Sequence, residues 1–369
     1  MMNRVLINVV QSDARSLNLW GDGVMKCALI YSKEYERVNY GPDHPFRPER
    51  FLLTIRFFKK KFPELPIIKP NYIDLTWLRK VHSEYYIEKV RKLSEKGRGY
   101  LSIDTPVFKG IYEWALLYCG GSLLGAEKIL KGEYAVIFNP CGGLHHAKYN
   151  DDGGFCVFND VALAAFYIFQ QRRKVAVVDI DAHAGDGTMQ ILYDKPILKI
   201  SVHEDPTFLY PGIGFVNEVG EKNGYGYSLN IPLPPGSSDQ ELIVVFEEIV
   251  IPALKRYNPD YLILQSGVDG YRKDPLTHLE YTAHGYHEIA TMLRKLNIPI
   301  LMLGGGGYYL PAVPILWATI FATLVDLFDR IQEDATKLDP SPSKSNADVK
   351  EIVSRLVENI LENHPFFKS

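Results

Sequence analysis

Short apolar runs alternate with longer segments of helical spacing along most of the chain. The apolar runs predict strands at 28–31, 135–138, 175–181, 197–202, 228–231, 261–265 and 299–303. Most of these runs are continuous rather than alternating, which is typical of strands covered on both faces of a sheet. Helical spacing predicts helices at 48–61, 83–96, 111–130, 159–171, 239–257 and 280–296. Strands that alternate with helices indicate an α/β fold built on a parallel sheet.

Clusters of glycine, histidine and aspartate follow four of the predicted strands. These clusters lie at 139–146, 181–187, 266–269 and 304–308. In open α/β sheets, ligands bind just beyond the carboxyl ends of the strands. We therefore expect the four clusters to meet in one site at one edge of the sheet.

The two ends of the chain differ from this pattern. Residues 1–24 precede the first strand of the main domain and are interpreted as an N-terminal extension of unclear role. Proline and serine over 338–345 predict a linker, and apolar spacing over 347–363 predicts an amphipathic helix that docks on the main domain rather than binding a partner. The predicted organisation is an extension at 1–24, a main domain at 25–330, and a linker with a C-terminal helix at 338–369.

Composition and charge exclude several classes of protein. The chain of 369 residues has 41 Lys+Arg against 44 Asp+Glu and no long basic run, so nothing indicates binding to nucleic acid or to an anionic membrane. No apolar stretch reaches the roughly 18 residues of a membrane span, and the N-terminal apolar run is too short for a signal peptide. The four cysteines form no CxxC pair, which indicates free thiols in a reducing compartment. A cytoplasmic location is expected.

A candidate metal site follows the predicted strand at 175–181. Side chains alternate along a strand, so Asp179, Asp181 and His183 can share one side. Buried carboxylates are costly unless they are satisfied, and a divalent Zn²⁺ or Fe²⁺ satisfies both aspartate and histidine ligands. The alternative is a hydrogen-bonded strand end. Asp269 is the best third ligand because it also follows a buried strand, although a lone aspartate there is often a helix cap.

A tandem histidine pair and a tyrosine supply the remaining chemistry. His145 and His146 follow two glycines, and Asp179 and Asp186 are available to orient their rings. Two His–Asp pairs beside a metal would provide a general base and a general acid, which amide hydrolysis requires. The glycine run 304–307 delivers Tyr308, whose hydroxyl can stabilise a developing oxyanion.

The ordered motifs resemble a known family. The segments 41–50, 81–86, 103–106, 142–147, 153–160, 177–188, 210–214, 266–269 and 304–308 match, in order, those of the histone deacetylase, acetoin-utilisation and acetylpolyamine amidohydrolase family. The resemblance implies an arginase/deacetylase-like fold, a single α/β domain with a central, mostly parallel sheet of about eight strands and helices on both faces. The main domain at 25–330 would then be the deacetylase catalytic domain.

The same resemblance implies roles for individual residues. The implied metal ligands are Asp181, His183 and Asp269, holding one Zn²⁺ per chain, with Fe²⁺ as an alternative. The implied catalytic residues are His145 paired with Asp179, His146 paired with Asp186, and Tyr308. We favour His146 as the general base. The implied substrate-binding residues are Asp104, Gly154, Phe155, Tyr210 and Gly306.

Further positions match the family less directly. Arg50 resembles the arginine of an internal cavity behind the metal, and a structural K⁺ is implied near Asp179, Asp181, His183 and Ser201. Tyr210 stands where relatives often place a phenylalanine. Ala184 stands where many relatives carry a second histidine, and we expect altered packing there rather than lost activity.

The implied activity is hydrolysis of the acetamide of acetyl-lysine in proteins. One alternative is hydrolysis of an acetylated polyamine or another small acetylated amine. Further alternatives are an arginase-type ureohydrolase, which would need two metal ions, and a non-catalytic protein that binds acetyl-lysine. No nucleic-acid or membrane partner is expected, and the oligomeric state is left open.

Overall fold

All seven predicted strands lie in one parallel sheet, which has eight strands in the order 67–68, 27–30, 136–139, 300–303, 261–265, 175–179, 198–204 and 228–233. The computed structural model of the chain describes residues 20–21 and 24–368, so most of the predicted 1–24 extension and Ser369 lie outside the described residues. The strands are β1 (Trp20–Gly21), β2 (Val24–Met25), β3 (Cys27–Ile30), β4 (Ile67–Ile68), β5 (Val136–Asn139), β6 (Val175–Asp179), β7 (Leu198–Glu204), β8 (Ser228–Leu233), β9 (Tyr261–Gln265) and β10 (Ile300–Leu303). The edge strand β4 is two residues long, too short for its pattern to be recognised.

The helices cover both faces of this sheet. They are α1 (Glu49–Lys61), α2 (Leu75–Leu78), α3 (Glu84–Lys96), α4 (Ile111–Leu130), α5 (Asp160–Gln170), α6 (Asp186–Ile191), α7 (Asp239–Val245), α8 (Ile251–Tyr257), α9 (Ala283–Arg294), α10 (Val313–Leu324), α11 (Gln332–Leu338), α12 (Ala347–Asn363) and α13 (Pro365–Lys368). Short β1 and β2 form a separate antiparallel pair. No helix in the described part of the chain is long and apolar enough to cross a bilayer.

Strand β9 shows why the apolar runs are continuous. Leu262 and Leu264 pack into the core formed with α9 and α10, whereas Ile263 packs into a second core formed with α4 and α5. All three side chains are fully buried. Because both faces are covered, alternation between polar and apolar positions is lost. The predicted α/β class is confirmed, and every pairing in the large sheet is parallel.

Two helices differ from their predicted limits. The helix predicted at 239–257 is divided into α7 and α8 by a π-helical segment, Phe246–Val250. Pro252 lies two residues after the end of this segment, in the first turn of α8, and has no backbone N–H to donate, which interrupts regular helical bonding. The helix predicted from 280 begins at Ala283, because the hydroxyl of Thr282 accepts from the N–H of His284 and caps the first turn.

The C-terminal helix α12 packs against α7 and the π-helical segment. Its buried residues are Val349, Val353, Val357 and Ile360, which fall on one face as the apolar spacing predicts. The preceding segment has little regular structure, as expected of a linker, but hydrogen bonds fix it to the main domain. Asp339 is fully buried and accepts from the N–H of Ala283, and the N–H of Ser343 is donated to Asp239.

Removal of the buried face of α12 should lower stability. Ile360 is fully buried, so Ile360→Ala should lower the free energy of unfolding by about 2–5 kcal/mol through lost burial and a cavity. Ile352 on the same helix is 51% exposed, so Ile352→Ala should change the free energy of unfolding by less than about 0.5 kcal/mol. Chemical denaturation of both variants measures the difference. Equal small effects would show that α12 does not contribute to the folded core.

Candidate active site

The four polar clusters meet because the strands that precede them are neighbours in register. Strands β5, β10, β9 and β6 are adjacent. Leu303 at the end of β10 lies opposite both Asn139 of β5 and Gln265 of β9, and Gln265 lies opposite Asp179 of β6. The four loops therefore leave the sheet at the same level and converge on one edge.

Strand β6 ends earlier than the predicted 175–181. Its last residue is Asp179, and the side chain of Asp179 accepts the N–H of Asp181 at 3.2 Å through Oδ1. Because the carboxylate of Asp179 accepts this N–H, the N–H does not pair with a neighbouring strand, and the strand ends. The prediction that Asp179, Asp181 and His183 share the side of a strand is therefore wrong for the last two, which project from the loop.

Asp181, His183 and Asp269 nevertheless lie together at the end of the sheet. Each offers a ligand atom within 4.8 Å of the others, and all three side chains are buried. The Nδ1 of His183 lies 2.9 Å from Oδ2 of Asp269 and 3.2 Å from Oδ1 of Asp181. The loops that follow β6 and β9 thus bring two carboxylates and one imidazole around a common point.

The charges of this cluster fit a divalent cation. Burial, followed by the charge of Asp181, raises the pKa of Asp269 to about 7. Burial lowers the pKa of His183, but its hydrogen bonds with Asp181 and Asp269 outweigh burial and raise the pKa to about 10. A proton on His183 thus offsets the charge of the two carboxylates, and a divalent cation bound between them would replace that proton. Two oxygen ligands and one nitrogen ligand form a donor set that suits Zn²⁺ or Fe²⁺ and leaves a position open.

Gly306 belongs to the wall of this cluster. Its N–H is donated to Oδ2 of Asp181 at 2.7 Å. A Cβ atom at this position would overlap with Oδ2 of Asp269 and lie 2.8 Å from Oδ2 of Asp181. Only glycine leaves both carboxylates accessible. The structure therefore places Gly306 against the candidate metal ligands, while its predicted contact with substrate stays a prediction.

Each of the two tandem histidines is hydrogen-bonded to the aspartate predicted for it. Nδ1 of His145 lies 2.7 Å from Oδ2 of Asp179, and Nδ1 of His146 lies 2.7 Å from Oδ1 of Asp186. The two Nε2 atoms face each other at 3.1 Å. Lys148 forms an ion pair with the other oxygen of Asp186 at 2.9 Å. Both rings are buried and point toward one space.

The two histidines differ in protonation. Burial lowers the pKa of His145, but the charges of Asp179 and Asp181 outweigh burial and raise it to about 9. Burial and the neighbouring charge of His145 lower the pKa of His146 to about 4. At neutral pH, His145 therefore carries a proton on both nitrogens and His146 is neutral. Such a pair has the protonation states that an acid and a base require.

Tyr308 is positioned by a buried carboxylate. Its N–H is donated to Oδ2 of Asp274 at 2.6 Å, and the N–H of Tyr309 is donated to the same oxygen at 3.3 Å. Burial and the charges of Asp269 and Asp181 raise the pKa of Tyr308. The phenol therefore keeps its proton and can act as a hydrogen-bond donor.

One aromatic side chain packs against His146 and another packs against Tyr308. The ring of Tyr210 is 5.0 Å from that of His146, and the ring of Phe155 is 5.8 Å from that of Tyr308. Gly154 has φ +51°, and a Cβ atom there would overlap with the ring of His146. The loop that carries Phe155 can therefore approach the histidine only with glycine at this position.

Asp104 lies beside the same loop. Its Oδ2 accepts the N–H of Gly154 at 3.1 Å, and its Oδ1 accepts the hydroxyl of Ser102 at 2.6 Å. Asp104 is only partly buried, so part of the carboxylate faces solvent. The structure thus brings the predicted rim carboxylate next to Gly154 and Phe155.

Ser201 and Arg50 lie behind the histidines and the metal ligands. Ser201 is opposite Asp179 in the β6–β7 register, and both line a small cavity of about 20 Å³. Arg50 is fully buried, lies over the ring of Trp317 at 4.9 Å and donates from Nη2 to the carbonyl of Gly305. The predicted K⁺ near Ser201 stays a prediction.

Several residues that shape the site were missed by the sequence reasoning. Gln265 donates from Nε2 to the carbonyl of Gly143 at 3.1 Å and to Oδ2 of Asp181 at 2.8 Å. The sequence signal for Gln265 is that a polar residue ends an otherwise apolar strand. Asp274 and Asp160 gave no signal, because an aspartate in a loop or at the start of a helix is usually a turn or capping residue.

Comparisons with known proteins agree with this geometry. Residues 44–324 match the family described as the histone deacetylase domain. The chain is 33% identical over 312 residues to histone deacetylase B of Dictyostelium discoideum, covering 82% of this chain and 74% of that protein. It is 36% identical over 311 residues to acetoin utilization protein AcuC of Bacillus subtilis (strain 168), covering 79% of this chain and 80% of that protein. The crystal structure of the HDA15 HD domain is similar with a TM-score of 0.82 at 27% identity, covering 93% of this chain and 98% of that chain.

Metal binding tests the three-residue cluster directly. Titration of metal-free protein with Zn²⁺ in competition with a chelator should reveal one tight site. His183→Ala removes the only nitrogen ligand and should weaken Zn²⁺ binding by at least about 100-fold, because three ligands fall to two. His364 is also buried, with Nε2 2.8 Å from the carbonyl of Ser228, so His364→Ala is a matched control that should leave Zn²⁺ affinity unchanged. Equal affinity in both variants would exclude this metal site.

Proposed function

Because the chain belongs to the histone deacetylase family, we propose that it hydrolyses the acetamide of acetyl-lysine side chains in proteins. The observation that carries the proposal is the buried Asp181–His183–Asp269 cluster beside two histidine–aspartate pairs. This combination would supply a metal site, a base and an acid at one edge of the sheet. The family relationship makes the chain a deacetylase-type hydrolase, and acetyl-lysine in proteins is the substrate that we propose for it.

We assign one Zn²⁺ per chain to this cluster, with Fe²⁺ as the alternative. Such an ion, when bound, polarises a carbonyl oxygen and lowers the pKa of water. Within the described part of the chain, one group of three side chains has the spacing of metal ligands. A single group supports a mononuclear deacetylase over an arginase-type ureohydrolase, which needs a second ion and further ligands. A structural K⁺ beside Asp179 and Ser201 is part of the same proposal.

His146 is the base in this mechanism. It is neutral at physiological pH, and the hydrogen bond from Nδ1–H to Asp186 keeps the ring proton on Nδ1, so Nε2 is unprotonated and can accept a proton. The attacking water gives its proton to that nitrogen as the carbon–oxygen bond forms. His145 already carries a proton and can give it to the amine that leaves. The hydroxyl of Tyr308 donates a hydrogen bond to the carbonyl oxygen of the substrate as negative charge develops there.

The lysine side chain would enter between Phe155 and Tyr210. Both are aromatic, which suits a four-carbon apolar stem. Asp104 at the rim can accept hydrogen bonds from a peptide backbone, and Gly154 holds Asp104 beside the channel. Gly306 lies deeper, where the acetyl group would approach the metal ligands.

The surface around the rim favours a peptide over a small polyamine. Ile103, next to Asp104, is 95% exposed, and Phe208, two residues before Tyr210, is 61% exposed. Large exposed apolar side chains commonly mark surfaces that contact a protein. A polycationic amine would instead require several carboxylates. The four cysteines are free thiols, which supports the cytoplasm as the site of this activity.

A substrate comparison tests this function. Purified protein should hydrolyse an acetyl-lysine peptide with a higher kcat/KM than an acetylated polyamine, and a chelator should abolish both activities until Zn²⁺ is restored. A preference for the polyamine would replace protein lysine as substrate by a small amine. Binding of the peptide without turnover would indicate a non-catalytic acetyl-lysine binder, and release of urea from arginine would indicate a ureohydrolase.

Loss of the phenol at 308 should lower turnover. Tyr308→Phe removes one hydrogen-bond donor to the developing oxyanion, so kcat should fall by about 100- to 1000-fold. The neighbouring Tyr309, which stacks on Tyr271 with ring centroids 6.0 Å apart, provides the control. Steady-state assays should find Tyr309→Phe close to the wild type. Similar kcat values for the two variants would remove Tyr308 from the mechanism.

A further inference from the structure

The loop that carries the two histidines is fixed by a carboxylate that the mechanism does not use. After β5 ends at Asn139, the backbone N–H groups of Gly143 and Leu144 are both donated to Asp160. Gly143 N lies 3.1 and 3.0 Å from the two carboxylate oxygens, and Leu144 N lies 2.8 Å from Oδ1. These two N–H groups directly precede His145 and His146.

The carboxylate of Asp160 is held by Ser122, by the loop backbone and by its place at the start of α5. It is fully buried, and its Oδ2 accepts the hydroxyl of Ser122 at 2.5 Å. A Cβ atom at Gly142 would lie 2.6 Å from the same oxygen, so the loop backbone lies directly on the carboxylate. Asp160 is also the first residue of α5, a helix of 11 residues, where the helix dipole favours a negative charge. The carboxylate therefore has a fixed position to which the loop is attached.

The preceding residue, Asn159, holds the other side of the loop. Its Nδ2 donates to the carbonyls of His145 and Ala147, both at 2.9 Å. Its Oδ1 caps α5 by accepting the N–H of Ala162 at 2.8 Å. The first turn of α5 thus binds backbone groups both before and after the histidine pair.

We propose that Asp160 is a positioning residue for the two histidines, rather than only a residue that stabilises the fold. The inference rests on the proposed deacetylase function. Asp160 touches neither imidazole; it acts by fixing the backbone from which both rings project. The 2.7 Å bonds to Asp179 and Asp186, whose carboxylates belong to other elements, require that this backbone be fixed. Displacement by about 1 Å at such a site can cost about 100-fold in rate.

The chain contains a closely matched control. Asp239 is also buried, is also the first residue of a helix, α7, and also accepts two backbone N–H groups and one hydroxyl. The donors are the N–H of Thr282 at 2.8 Å, the N–H of Ser343 at 2.9 Å and the hydroxyl of Thr282 at 2.6 Å. None of these groups belongs to the candidate active site. Asp160→Asn and Asp239→Asn therefore make the same chemical change in two similar environments.

The experiment compares these two variants in the Zn²⁺-loaded enzyme. An asparagine amide replaces one acceptor oxygen by an NH₂ group that faces donors, so the attached loop must shift in both variants. For Asp160→Asn we expect kcat to fall about 100-fold, with KM within about twofold of the wild type and one Zn²⁺ per chain. For Asp239→Asn we expect a similar fall in melting temperature and a kcat within about threefold of the wild type, since its donors lie outside the active site. Equal changes in kcat would overturn the inference.

A second measurement does not depend on turnover. The ring N–H protons that His145 and His146 donate to Asp179 and Asp186 should give downfield proton NMR signals. These signals should be lost or shifted in Asp160→Asn and retained in Asp239→Asn. If the wild type hydrolyses no acetylated amine, the proposed function fails, and this spectrum alone decides the positioning role. Unchanged signals in Asp160→Asn would overturn it.

Ser122→Ala provides a milder variant in case Asp160→Asn does not fold. It removes one of the three donors to Asp160 and leaves the carboxylate in place. We expect kcat to fall several-fold, with the histidine signals shifted but present. Wild-type kcat together with wild-type signals in Ser122→Ala would contradict the inference.

Discussion

Negative charge buried at one edge of a parallel sheet is the constraint on which this structure depends. Asp179, Asp181, Asp186 and Asp269 are all nearly or fully inaccessible to solvent. A buried carboxylate is stable only when hydrogen bonds or positive charges replace the lost water. Imidazole rings supply part of that compensation, a lysine supplies another part at Asp186, and a divalent cation is suited to supply the remainder between Asp181 and Asp269.

Some of these carboxylates also accept hydrogen bonds from backbone N–H groups of the loops. Loops that leave a parallel sheet have N–H groups without ladder partners, and buried N–H groups need acceptors. Asp181 accepts from the N–H groups of His183 and Gly306, and Asp269 accepts from the N–H of Ala182. Asp274 serves the Tyr308 loop in the same manner. The loops at the site are thus held by carboxylates, some of them candidate metal ligands and one of them, Asp274, outside the cluster, which is how sites acquire precise geometry.

The sequence was sufficient for the class of fold, for seven of the eight strands of the sheet and for the grouping of polar clusters at one sheet edge, but it did not reveal the buried helix α10. Continuous apolar runs identified seven strands, because burial on both faces leaves a strong signal. The two-residue β4 and the division of 239–257 by Pro252 were beyond the same reasoning, since neither changes the local apolar pattern. Asp181 and His183 were predicted as ligands on the assumption that they continue the strand of Asp179. Strand β6 ends at Asp179, so both residues instead lie in the loop that follows. Asp160 could not be found at all, because contacts with residues 16 and 17 positions away leave no periodicity.

Gln265 links the two halves of the centre in one rigid unit. One amide group reaches the histidine loop through the carbonyl of Gly143 and the ligand cluster through Asp181, while its oxygen is occupied by the N–H of Gly267 at 2.8 Å. Three hydrogen bonds therefore tie this one amide to the histidine loop, to Asp181 and to the backbone after β9, and they fix the two halves relative to each other. A displacement of Asp181, for example by an unsuitable ion in the proposed metal site, would therefore also shift the loop that carries His145 and His146.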